Sequence, residues 1–257
     1  MSKKDVMRVY DMEGKDYDNI RYGRTLGGKF FSEIELSSTL NRLGPGNVLH
    51  IGTATGRVGK YLTGKHVDYV GLELSKEMAK ITKERLNGVG LIVRGDAEHL
   101  PFRPGTFENV VCVRSFHFFP NPIGFLKEAH QALKTEGTII ISFEKRVPGR
   151  HFFERIKAVP TPLTKRNYYS NREATRMVES SGFQLSFTAN VTKLPLLVYW
   201  RMKSDRILRR VHGRLPSTLG TVGLVVGHKI VPDCAKEIET GESSGFLSTR
   251  GSQSVTR

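Results

Sequence analysis

The chain has 257 residues, 38% of them apolar and 25% charged, with 40 Lys/Arg against 25 Asp/Glu and a formal net charge of +15. That length buries a sizeable core in one large domain or two small ones, and no apolar run approaches the ~18–20 residues that cross a bilayer. Cys112 and Cys234, the two cysteines, give no basis for a disulfide framework or a cysteine-based zinc site, and no metal site is expected.

The N-terminus, Met-Ser-Lys-Lys-Asp-Val, lacks a signal-peptide apolar segment, so the chain reads as cytoplasmic. Residues 1–44 are expected to form a helical cap, within which Phe30 to Leu43 suits a helix ending at Gly44-Pro45-Gly46. Asn47 to Ile51 then reads as a buried strand, Arg57 to Thr63 as a short helix and Asp68 to Leu72 as a second strand. Ser75-Lys-Glu-Met supplies an N-cap and an acid for a helix running to about Asn87. Strands follow at 91–94, 107–113 and 138–143, with a helix at 123–133 before the last of these. This alternation predicts an α/β fold with a doubly wound, mostly parallel sheet. Beyond Glu144 a helix is expected at 171–181, a strand at 183–191 and a final strand at 221–230. The main domain is therefore set at 45–231, with a basic amphipathic insertion at about 194–216, and the Gly/Ser/Thr-rich residues 232–257 are expected to be disordered.

Charge is unevenly spread. Residues 1–142 carry 20 basic and 16 acidic side chains, and residues 143–257 carry 20 and 9. A basic half suits an anionic partner or simply a solvated face. Residues 194–216 form an amphipathic excursion. On a helical wheel Leu197, Trp200, Ile207, Leu208, Val211 and Leu215 share one sector, and Lys203, Arg206, Arg209, Arg210 and Arg214 occupy much of the rest. The pattern fits a lid over a cavity or a peripheral contact with an anionic membrane.

Ligands of open parallel sheets bind at the carboxyl ends of the strands, near the reversal of strand order. Gly52 and Gly56 flank the turn after the first strand, Glu73 ends the second, and Asp96 follows the third. A glycine-bearing turn admits close backbone approach, an acid there accepts from a ribose diol, and a further Asp accepts from an exocyclic adenine amine. The set describes an adenosine-bearing cofactor. The dinucleotide fingerprint fails at Ala54 and Arg57, and no G-K-[ST] follows for a phosphate loop.

The segments V-L-H-I-G-T-A-T-G-R, Y-V-G-L-E-L-S-K-E-M, G-D-A-E-H-L-P-F, F-E-N-V-V-C-V-R-S-F-H-F-F-P-N-P and F-L-K-E-A-H-Q-A-L-K-T-E-G-T-I-I-I-S follow in order across roughly residues 45–145. Together they resemble the class I S-adenosylmethionine-dependent methyltransferases, particularly the type 11, ubiquinone/menaquinone methyltransferase-like group. The resemblance implies a seven-stranded Rossmann-like sheet with helices on both faces. It also implies that Gly52, Thr53, Ala54 and Gly56 cradle the methionine moiety, with His50 beneath them in a position where the family often carries an acid. Glu73 would hold the ribose hydroxyls and Leu74 the adenine. Asp96 would accept from the adenine amine, with Ala97 beside it, and Arg114 would border the sulfonium and the substrate. His117 is the candidate general base, with a packing histidine as the alternative. The segment D-Y-D-N-I-R-Y-G-R resembles leading segments that fold over the cofactor, which makes Tyr17, Arg21 and Tyr22 either contacts or plain surface packing.

The function expected from this resemblance is methyl transfer to a small, hydrophobic or lipid-like molecule. Methylation of RNA is the alternative suggested by charge, although neither an Asn/Asp-Pro-Pro-aromatic motif after the fourth strand nor a well-placed cysteine is present. A silent cofactor-binding protein is the third reading, motivated by His50 and Ala54.

Overall fold

Apolar strands buried on both faces put a parallel sheet at the centre of the molecule. The computed structural model describes residues 2–23, 25–65, 67–146, 167–193, 199, 202–216 and 220–230. Its strands are β1 (Val48–Ile51), β2 (Tyr69–Glu73), β3 (Leu91–Arg94), β4 (Phe107–Val113), β5 (Leu133–Glu144), β6 (Phe183–Asn190) and β7 (Val222–Lys229). They pair in the order β3-β2-β1-β4-β5-β7-β6. Only β7 runs antiparallel to its neighbours, β5 and β6.

Period-two alternation splits the strands between two layers. Leu49, Ile51, Val110, Cys112, Ile139 and Ile141 join Phe125, Leu126 and Ala129 of α5 (Pro122–Ala132) and Val178 of α6 (Asn171–Ser180) on one face. Val48, Val111, Val113, Ile140, Leu224 and Val226 join Phe31 and Leu40 of α2 (Leu26–Leu40) and Val58 and Leu62 of α3 (Arg57–Thr63) on the other. His50 therefore points to the second face, among helices that precede and follow the first strand.

Most boundaries fall where the sequence places them, and the exceptions have local causes. Helix α2 begins at Leu26 rather than Phe30, capped by Thr25. Gly27 and Gly28 hide its first turn. A Cβ on Gly28 would stand 2.6 Å from the Tyr22 carbonyl oxygen, so glycine is what lets the Asn19–Gly23 turn pack against the helix. Strand β5 starts at Leu133, where a helix end and a turn are expected, because Leu133 pairs with Phe107 ahead of a bulge. Its polar Lys-Thr-Glu-Gly stretch disguises the strand.

The N-terminal cap contains a helix, α1 (Lys3–Glu13), closed by a reciprocal box between Ser2 and Asp5. α4 (Lys76–Leu86) carries the anticipated Ser75 cap. In the excursion Ser204 caps a helix, α7 (Asp205–Arg214), which carries the second half of the wheel. Leu208 is buried against Phe30 and Tyr199, whereas Ile207 is 53% exposed. Leu197, Trp200 and the tail at 232–257 lie outside the described residues. Among the described residues no helix is long and apolar enough to cross a membrane.

Candidate active site

Strand order reverses between β1 and β4, and the crevice this opens lies at their carboxyl ends. A cleft of about 950 Å³, counting its open mouth, is lined there by the 50–55 loop, Glu73, Leu74, Asp96, Ala97, Arg114 and Phe118, and is covered by Lys3, Val6, Met7 and Tyr10 of α1.

The turn after β1 is pinned from below. Glu73 Oε2 accepts from the Ala54 N–H at 2.7 Å and from Thr53 Oγ1 at 3.4 Å, while Oε1 accepts from the Ser75 N–H at 3.0 Å. Burial pushes the Glu73 carboxyl up, opposed by these backbone donors. Thr82 Oγ1 donates to the Ala54 carbonyl at 2.7 Å. Ala54 sits at φ +48° and Gly52 at +73°, left-handed backbone that is costly for alanine and free for glycine. Any side chain on Gly52 would strike Ser115, since a Cβ there stands 2.2 Å from Ser115 Oγ. Gly56, at φ +82°, starts α3 against Thr82 and is not part of the cleft wall.

His50 is buried, and its Nδ1 lies 2.8 Å from the Tyr69 hydroxyl. Its Nε2 has no hydrogen-bond partner among the described residues. Burial, with Arg57 nearby, drops its pKa to about 3, so the ring is neutral where the related pattern often carries an anion.

A run of ion pairs stands behind the cleft. Arg57 donates to Glu35 of α2 at 2.5 Å, and Arg114 donates to Glu144 at 2.8 Å with its Nε 3.8 Å from Glu35. Arg21 donates to Glu13 at 2.8 Å. Arg114 holds φ +54°, an uncommon conformation fixed by its N–H bond to the Ser142 carbonyl. Lys3 spans Asp96 at 2.6 Å and Glu98 at 2.7 Å, and Asp18 receives bonds from Thr55 and Arg85. Above these pairs stands an aromatic wall: Tyr10 meets Phe118 edge-on at 5.7 Å and Tyr17 at 5.6 Å, and Tyr17 meets Tyr22 at 6.4 Å.

The sequence-expected residues His50, Gly52, Thr53, Ala54, Glu73, Leu74, Asp96, Ala97 and Arg114 thus meet around one cleft, joined by Tyr17 and Tyr22. His117 does not. It is 1% exposed, has its ring centre 4.2 Å from that of Phe118, and is not among the lining residues. Arg21 is held by Glu13 outside the wall. Sequence reasoning overlooked Lys3, Tyr10, Asp18, Arg57 and Phe118 on the lining and Glu35 behind it. No local motif announces Glu35, which reaches the site from a helix preceding β1.

Residues 49–141 match the family described as a methyltransferase domain. Demethylmenaquinone methyltransferase of Thermotoga maritima is 30% identical over 211 residues, spanning 72% of this chain and 91% of that protein. The chain belongs to the class I S-adenosylmethionine-dependent methyltransferases. The methyl donor of this methyltransferase is accordingly S-adenosylmethionine, and its acceptor is a small molecule. A phthiotriol/phenolphthiotriol dimycocerosates methyltransferase of Mycobacterium ulcerans is 32% identical over 138 residues, 52% of this chain and 46% of that protein. In fold, the methyltransferase is similar to a Thermotoga maritima structure described as a S-adenosylmethionine-dependent methyltransferase and possible histamine N-methyltransferase, at TM-score 0.68 and 22% identity over 87% of this chain and 99% of the other.

The cleft fits the donor chemically. It offers a carboxylate at the end of β2, a second after β3, left-handed backbone in the turn after β1 and a buried imidazole nitrogen that no group among the described residues satisfies.

Proposed function

We propose that the chain methylates a small, uncharged, hydrophobic acceptor, and that residues 1–44 cap the cleft in which this occurs. The observation that carries the reading is the pairing of aromatic cover with neutralised charge. Lys3, Arg57 and Arg114 are the Lys and Arg side chains among the described lining residues, and each faces at least one carboxylate. A phosphate or carboxylate on the acceptor would have to break one of these pairs, two of which are largely buried, at a cost of several kcal/mol. An apolar, flat acceptor gains from Tyr10, Tyr17, Tyr22 and Phe118 without breaking any. The names of the relatives, which act on demethylmenaquinone and on a mycobacterial lipid, are in keeping with such a molecule. RNA is disfavoured because its backbone needs unneutralised cations in reach of the site.

S-adenosylmethionine supplies a methyl group on a sulfonium, already activated toward a nucleophile. The protein's part is positioning and exclusion of water. Glu73 holds the ribose hydroxyls while its backbone bonds keep the loop of Gly52, Thr53 and Ala54 in place. Gly56 contributes by letting α3 start at that loop. His50 meets the methionine end as a neutral group. Asp96 takes the adenine amine between Leu74 and Ala97, in exchange for part of its contact with Lys3. Arg114, clamped by Glu144, forms the floor beside the reacting atoms.

Two measurements test the reading. S-adenosylhomocysteine should bind by calorimetry, and Glu73→Ala should weaken it by about 30-fold or more, the scale of losing charge-assisted hydrogen bonds. Labelled methyl from the donor should enter the organic phase of a cell extract. Label found only in RNA would overturn the acceptor assignment while leaving the donor site standing.

A further inference from the structure

Helix α7 lies against α2 through one face. Leu208 is buried with Phe30 and Tyr199, His212 meets the Phe30 ring edge-on at 5.5 Å, and His212 Nδ1 is 2.7 Å from the Tyr199 hydroxyl. Arg209 is stitched down as well, to Glu33 at 2.8 Å and Asp205 at 2.8 Å, with its guanidinium 5.2 Å from the Phe30 ring centre. Among the described residues, Leu208 is thus spent inside the protein and is not free to enter a bilayer, whereas Ile207 stays outside.

What remains outside is a different surface. Arg206, Arg210 and Arg214 stand at i, i+4 and i+8 on the exposed side, one above another over about 12 Å of helix. None of the three has a carboxylate partner among the described residues. Like charges at this spacing weaken a helix by themselves, so the stripe costs stability in the free protein. Lys203 is exposed just before the helix. Ile207 is 53% exposed on the flank of the stripe, and Leu26, at the start of α2, is 49% exposed.

We propose that the outer face of α7 docks on an anionic lipid surface, with Arg206, Arg210 and Arg214 against the headgroups and Ile207 entering the interface. The arginines supply charge complementarity. The exposed isoleucine discriminates lipid from a nucleic-acid backbone, since it gains from an acyl boundary and nothing from phosphodiesters. The docking is peripheral and electrostatic, and it is independent of which acceptor the cleft takes.

The test is co-sedimentation of the whole chain with vesicles of phosphatidylcholine alone or mixed with phosphatidylglycerol, at low and physiological salt. Binding to the mixed vesicles only, weakened by salt, is expected. The triple variant R206E/R210E/R214E should lose more than about two orders of magnitude, since removing each arginine charge costs about fivefold and each glutamate adds repulsion, and Ile207→Ser should bind more weakly while remaining salt-sensitive. Unchanged S-adenosylhomocysteine binding controls for folding, and R206Q/R210Q/R214Q replaces the reversal if that variant misfolds. No binding to mixed vesicles at low salt, equal binding to neutral ones, or triple variants that bind as wild type would each overturn the proposal. So would single-stranded polyuridylate that binds the chain and displaces it from the vesicles through the same arginines.

Discussion

At the scale of single residues, His50 puts a neutral group beneath the turn after β1. A carboxylate there would be an anion needing donors, whereas the imidazole pairs with Tyr69 through Nδ1. The substitution leaves a pH signature. The folded pKa is depressed to about 3, so the unfolded chain binds a proton near pH 6.5 that the folded chain refuses. Stability contributed by this site is complete above about pH 6.5 and is lost as pH falls toward 3, by about 2 kcal/mol at pH 5. Urea melts of wild type and His50→Gln at pH 7 and pH 5 should therefore differ in slope with pH, the wild type falling more steeply. Equal slopes would mean that the imidazole is not buried as the neutral form. His50 is legible in sequence as an oddity, but its hydroxyl partner is not, because Tyr69 is 19 residues away and meets it only once β1 and β2 pair in register.

At the scale of elements, α1 differs from the other helices. None of its residues belongs to a core cluster of the described residues. Its apolar side chains Val6, Met7 and Tyr10 face the cleft, and it is fastened at the rim by Lys3 to Asp96 and Glu98 and by Asp11 to Ser75. Such a helix opens at low cost. Removing the lysine in Lys3→Ala takes away a partly exposed ion pair worth about 1 kcal/mol, so amide exchange over residues 3–13 should quicken about fivefold with the sheet unchanged. Exchange that quickens equally in β1 and β4 would contradict a separately opening cap. The five ordered motifs made the sheet readable, together with the residues at the ends of β1 to β4 that meet around the cleft. The cap and Glu35 were not readable, because their contacts join positions far apart in sequence through polar pairs with no periodic signature.

For the molecule as a whole, the charges outside the cleft matter more than those within it. The cleft's cations are matched, but the chain carries +15, so self-repulsion opposes the compact state at low ionic strength. Raising salt from about 0.01 M to about 0.15 M shortens the screening length from about 30 Å to about 8 Å and should raise the melting temperature by about 2–4 °C. A lowered melting temperature would show that screening of the Arg–Glu pairs outweighs relief of repulsion. The final strand illustrates what was legible at this scale: its apolar run marked β7 as a strand, while its antiparallel insertion between β5 and β6 has no signature in its own residues.

Helix α2 touches both ends of this description. Its Phe30 and Glu33 hold α7, and its Glu35, less than two turns further on, grips Arg57 at the foot of the donor loop and stands beside Arg114 across the cleft. One helix thus carries both the contacts that seat α7 and the carboxylate that pairs with two cleft-lining arginines, so a substitution that displaced α2 would disturb both sides together.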